Sequence, residues 1–131
     1  MEIKKDNGLA GVDMIIAIIA ITIFSTLIVS LMYNNVIENV KLKKETLAMI
    51  YITEAFENIG IETYDNITEE NINNLVPEEA RNNYNIEMTV TNEFDDVTNN
   101  EYIMKKITLK LSYEIANKTY SCSMERMKIK E

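Results

Sequence analysis

Hydrophobic and polar positions fall into three successive regimes along the chain. In residues 14–32 apolar side chains follow one another on every side of a helical wheel, without charge, Pro or Gly. The polar exceptions are Thr22, Ser25, Thr26 and Ser30, whose hydroxyls can bond back to the preceding helical turn. As an α-helix those 19 residues reach ~28 Å, close to the hydrocarbon core of a bilayer. In residues 33–59 the spacing becomes one-sided: Ile37, Val40, Leu47, Ala48, Tyr51, Ala55 and Ile59 recur at helical intervals, with polar and charged residues largely between them. Gly60 is the first residue able to stop the helix. A single helix from Asp13 to Ile59 would run ~70 Å, apolar all round in its first half and amphipathic in its second.

Residues 60–84 are polar and irregular. Thr68 reads as an N-cap followed by Glu69 and Glu70, and Pro77 as the first position of a second short helix. The expectation is two short helices or turns in a surface loop. Period-two alternation follows. Ile86, Met88, Val90 and Phe94 mark one strand, and Ile103, Ile107, Leu109, Leu111, Tyr113 and Ile115 a second. Ala116, Asn117 and Lys118 read as a hairpin turn, and Tyr120, Cys122 and Met124, extended to Met127 and Ile129, as a third strand. The predicted fold class is α+β: a long N-terminal helix, half transmembrane and half amphipathic, packed on a small antiparallel meander.

Composition narrows the chemistry. The chain has 131 residues, a formal charge of −8, no His and one Cys. Its acidity argues against direct nucleic-acid binding by the bulk surface. Without His the commonest general base and zinc ligand are missing, and Cys122 can form no intrachain disulfide. Cys122 alternates with apolar residues and reads as a buried structural thiol. The acidic stretch from Asn92, Glu93, Asp95 and Asp96 to Glu101 offers oxygen donors suited to Ca²⁺, but lacks the acid spacing and turn Gly of an EF-hand; a solvated loop is the other reading. The seven Tyr residues read as packing or interface groups. No Gly-rich phosphate loop, nucleophile elbow or metal-ligand cluster is present in the sequence, so no enzymatic activity and no cofactor are expected.

The start of the chain carries the most specific pattern. A short polar leader with Lys4 and Lys5 ends at Gly8; Leu9, Ala10 and Gly11 follow, and Asp13 is the one acid at the edge of the apolar run. Small residues precede the apolar segment here, whereas a secretory signal has them after it. The apolar run is therefore expected to be retained. Asp13 admits two readings: a carboxylate that pairs in assembly, or an N-cap for a helix beginning at Met14. Lysines on both flanks (Lys4 and Lys5; Lys41, Lys43 and Lys44) leave charge counting undecided about orientation.

This arrangement resembles the class III signal of the type IV pilin and pseudopilin family. In that family a prepilin peptidase cuts after a leader-terminal Gly, and an acid stands fifth in the mature chain. Gly8 and Leu9 match the cleavage site and Asp13 the acidic position, although the family usually has an aromatic residue or Met, and Glu, at the latter two. The resemblance implies leader 1–8, a transmembrane and assembly helix 9–32, and a globular head 33–131 that includes the amphipathic half of the helix. It also implies a cytoplasmic N-terminus, a head outside the cell, methylation of the new amine and polymerisation as a filament subunit. The implied partners are other pilin subunits, the prepilin peptidase, the membrane assembly machinery and, before assembly, membrane lipid. The small head and the departures at Leu9 and Asp13 point to a minor pilin or pseudopilin. A single-pass anchored binding module that never polymerises is the alternative.

Overall fold

The computed structural model describes residues 6–94 and 102–130. Its elements are a helix α1 (Asp6–Ile61), a 3₁₀ turn (Tyr64–Asn66), short helices α2 (Glu69–Leu75) and α3 (Glu78–Asn83), and strands β1 (Asn85–Phe94), β2 (Tyr102–Ile115) and β3 (Lys118–Ile129). Two compact units result, residues 1–39 and 40–131. The first is the N-terminal part of α1. The second, the head, contains the rest of α1 and everything after it.

Within the head the sheet is a meander in the order β1-β2-β3, antiparallel throughout. The expected α+β fold is present: the second half of α1 packs on a three-stranded antiparallel sheet. Its core sets Ala48, Ile52, Ala55, Phe56 and Ile59 from α1 against Ile107, Leu109 and Leu111 of β2, among other residues. Spacings of three and four residues place that helical set on one face. Ile52 and Phe56, absent from the stripe expected from the sequence, lie near its centre.

Register explains the sheet's inner face. Ile86–Leu111–Cys122, Met88–Leu109–Met124 and Val90–Ile107–Arg126 are cross-strand rows, all on the parity that faces α1. A bulge between Glu93 and Phe94 ends the regular pairing of β1. The opposite face carries polar rows, with Lys110 bonded to Glu87 at 2.7 Å and Lys106 to Glu125 at 2.9 Å. Met127 and Ile129 do not continue the inner stripe of β3: both are exposed on the outer parity. Arg126 and Lys128 occupy the inner positions instead.

Three other local expectations change. The segment 60–84 is not merely a surface loop, because Ile67, Ile72, Val76 and Ala80 are buried in the core. Thr68 does cap α2, its Oγ1 accepting from Asn71 N at 3.4 Å. Pro77 stands one position earlier than expected, as the N-cap of α3. Gly60, for its part, lies inside α1 and has no positive φ, so it is not a left-handed cap. The hairpin turn at Ala116 and Asn117 is confirmed, with φ of 49° and 63°. Such a two-residue turn with both φ values positive matches the twist of the flanking strands.

Candidate functional site in the N-terminal helix

The apolar segment lies wholly within α1. Its large apolar residues from Val12 to Met32 are each between 54 and 66% exposed, with no covered side to the helix. This distinguishes it from the core helix of a soluble domain, which passes the same tests of length and composition but is mostly buried. It is one helix long and apolar enough to span a membrane. Two of its four hydroxyls bond back as expected, Thr22 Oγ1 donating to Ile18 O and Thr26 Oγ1 to Thr22 O, both at 2.8 Å, whereas Ser25 and Ser30 make no such bond among the described residues. Those bonds satisfy the two threonine hydroxyls without water, as an apolar solvent requires.

Gly8 and Leu9 fall in the first turn of α1. Asp13 is exposed and lies well inside the helix. An N-cap residue has non-helical dihedrals and sits at the boundary, so the reading of Asp13 as a cap for a helix starting at Met14 is corrected: the helix is already formed from Asp6. Positions 9 and 13 are one helical turn apart on one face, and the Cα–Cβ bond at position 13 tilts toward the helix start. Lys4 and Lys5 of the leader lie outside the described residues.

No family model, curated protein or solved structure matches this chain.

In the head, Cys122 is a free, buried thiol as expected. Burial, and secondarily the negative charge of Glu45, pushes its pKa up, which suppresses the reactive thiolate. Of the acidic stretch considered for Ca²⁺, Asn92 and Glu93 belong to β1, while Asp95, Asp96 and Glu101 lie outside the described residues. Among the described residues no three His, Cys, Asp or Glu side chains converge on a metal-sized site.

Four tyrosines form a contiguous packed row. Tyr51 meets Tyr84 edge-on at 5.9 Å, Tyr84 meets Tyr113 edge-on at 5.8 Å, and Tyr113 stacks on Tyr120 at 5.8 Å. Tyr84 also donates its hydroxyl hydrogen to Lys44 O at 2.9 Å, tying the end of α3 to α1. Burial raises the pKa of both Tyr84 and Tyr113. Tyr51, Tyr84, Tyr113 and Tyr120 thus serve packing, as the sequence suggested.

Sequence reasoning missed a set of basic residues that closes the head. Arg126 Nη1 donates to Phe56 O, and Lys128 Nζ donates to Gly60 O, each at 2.9 Å. Lys105 Nζ reaches Tyr64 O at 2.8 Å and Ile67 O at 2.9 Å, and lies 4.4 Å above the Tyr64 ring. The last turn of α1 contains no basic residue of its own. Lys128 supplies positive charge and a donor to a carbonyl in the last turn of α1, Arg126 reaches a carbonyl one turn further back, and Lys105 holds the segment that follows the helix. The signal was visible in β3, where Arg126 and Lys128 continue the parity of Tyr120, Cys122 and Met124.

Proposed function

We propose that this chain is a structural subunit of a type IV pilus or pseudopilus-type filament. It is inserted in the membrane through residues 14–32, cut by a prepilin peptidase between Gly8 and Leu9, and polymerised through the same helix. The N-terminus faces the cytoplasm and the head is outside. The observation that carries the reading is an apolar helix surface open on all sides, interrupted by one carboxylate a turn beyond the proposed cut.

Exposing that surface to water costs on the order of tens of kcal/mol. A bilayer removes it from water, and so does a bundle of identical helices. The carboxylate of Asp13 is unfavourable in both unless it is partnered. Cleavage after Gly8 changes its position in the helix. In the uncut chain Asp13 lies two turns from the start of α1; in the cut chain it lies in the first turns. There the unsatisfied N–H groups and the positive end of the dipole favour a carboxylate. The new α-amine of Leu9, or that of a neighbouring subunit, adds a cationic partner. Such a pair sets register between subunits more than it adds net stability, because both charges are desolvated. Membrane insertion, processing and assembly thereby follow from one helix.

The experiment is filament incorporation of Asp13 variants. Asp13→Ala and Asp13→Asn should abolish incorporation while membrane insertion and head folding persist, and Asp13→Glu should restore it. Filament yield unchanged in Asp13→Ala would contradict the assembly role and leave an anchored, non-polymerising module.

A further inference from the structure

Two stretches carry the Asn-x-Thr pattern for attachment of an oligosaccharide to a side-chain amide: Asn66-Ile67-Thr68 and Asn117-Lys118-Thr119. The filament reading uses neither, and their surroundings differ sharply. Asn66 is engaged: its Nδ2 donates to Glu62 Oε2 at 3.3 Å, and its carbonyl accepts from Asn71 Nδ2 and from Thr68 N, both at 3.0 Å. Thr68 Oγ1 holds the N-terminus of α2, and Ile67 between them is fully buried. A transferase that drew these three residues into its own site would have to uncap α2 and pull Ile67 from the core.

Asn117 is placed otherwise. It stands at the tip of the β2–β3 hairpin, and Asn117, Lys118 and Thr119 are all exposed. Among the described residues the side chains of Asn117 and Thr119 make no hydrogen bond or ion pair. The left-handed backbone at Asn117 explains a Gly or Asn there. It does not explain a hydroxyl two residues later. A glycan on this tip would displace no packed side chain.

We propose that Asn117 is an N-glycosylation site and that Asn66 is not. The donor is an oligosaccharide linked through phosphate to a lipid. The amide nitrogen of Asn117 attacks C1 of the terminal sugar, forming the C1–N bond. The C1–O bond to phosphate breaks with its electron pair, the lipid phosphate leaves, and one amide proton passes to a base of the transferase. Thr119 supplies the hydroxyl by which the transferase recognises the site. The inference rests on the filament reading only in placing the head on the outer side of the membrane.

Mass-spectrometric peptide mapping of the full chain from its native cell tests the assignment. The peptide holding Asn117 should carry a sugar mass, and the peptide holding Asn66 should be unmodified. Thr119→Ser should keep the modification, whereas Thr119→Val should remove it. Asn117→Gly should remove it while keeping the turn and the thermal stability of the head. An unmodified Asn117 in a chain that begins at Leu9 would overturn the glycan and leave the filament reading standing. A modified Asn117 in a chain that begins at Met1 and stays out of filaments would support the glycan and overturn the filament reading. Sugar on Asn66 alone, or retained in Thr119→Val, would overturn the assignment.

Discussion

The same helix lives by two different rules. Before residue 40 its apolar residues point in every direction, and the large ones from Val12 to Met32 are all more than half exposed. After residue 40 one face of the helix is buried to completion, as at Ala48, Ile52 and Ala55, while Leu42 and Ile50 stay exposed on the other. The first stretch is long and apolar enough to cross a membrane; the second packs on a sheet. The contrast shows why hydrophobicity alone is a poor guide to function here. What matters is whether the chain supplies its own cover, and the buried core of the head includes none of residues 14–32.

That contrast can be broken most strongly at matched large-to-small substitutions. Leu109→Ala should destabilise the head by about 2–5 kcal/mol, because it leaves a cavity in the packed centre. Ile19→Ala should leave the unfolding midpoint of the head unchanged, since Ile19 touches none of that core. Chemical denaturation of both variants in detergent checks the pair, and equal losses would mean that the two stretches fold as one unit.

A smaller effect is expected where the sheet closes the end of α1. Lys128→Met should cost about 1–2 kcal/mol, since it removes the donor to Gly60 O. Amide exchange should quicken first in the last turn of α1. In the other direction, Ala116→Gly should stabilise the head by about 1 kcal/mol, because Ala116 holds a positive φ that an L side chain adopts at a cost. Thermal melting measures both.

The smallest effect concerns the outer face of the sheet. The hydrogen bond from Lys106 holds the Glu125 carboxyl below its usual range. The sign follows from linkage: this contribution is present above the unfolded-state value near about 4.3 and is lost as pH falls through the depressed folded value. Glu125→Gln should therefore flatten the acid limb of a stability–pH curve slightly, and solvent screening keeps the change small. A steep loss at neutral pH in this variant would contradict that surface role.

How much of this could be read in advance depended on how local each cause is. Alternation around Leu109 and Leu111 announced β2 because every second residue there faces one core. The turn at Ala116 and Asn117 was legible despite lacking Gly, since Asn tolerates the left-handed region. Met127 and Ile129 misled, because hydrophobicity suggested an inward face where the register puts Arg126 and Lys128. The acceptors for those cations, Phe56 O and Gly60 O, lie about seventy residues earlier in the chain, and no local pattern announces a partner at that separation. The helix start was misplaced for a similar reason. Asp13 has the chemistry of a cap, but Gly8 and Gly11 did not stop the helix from beginning earlier. Gly8, Leu9 and Asp13, by contrast, are legible only as a spacing along a helix, and the proposed processing would decide what that spacing does.

The most direct test of the account is the intact mass and N-terminal peptide of the protein recovered from its native membrane or cell surface. The account predicts a chain that begins at Leu9 with a methylated amine, found in filaments. A chain that retains Met1 and stays in the membrane would contradict it.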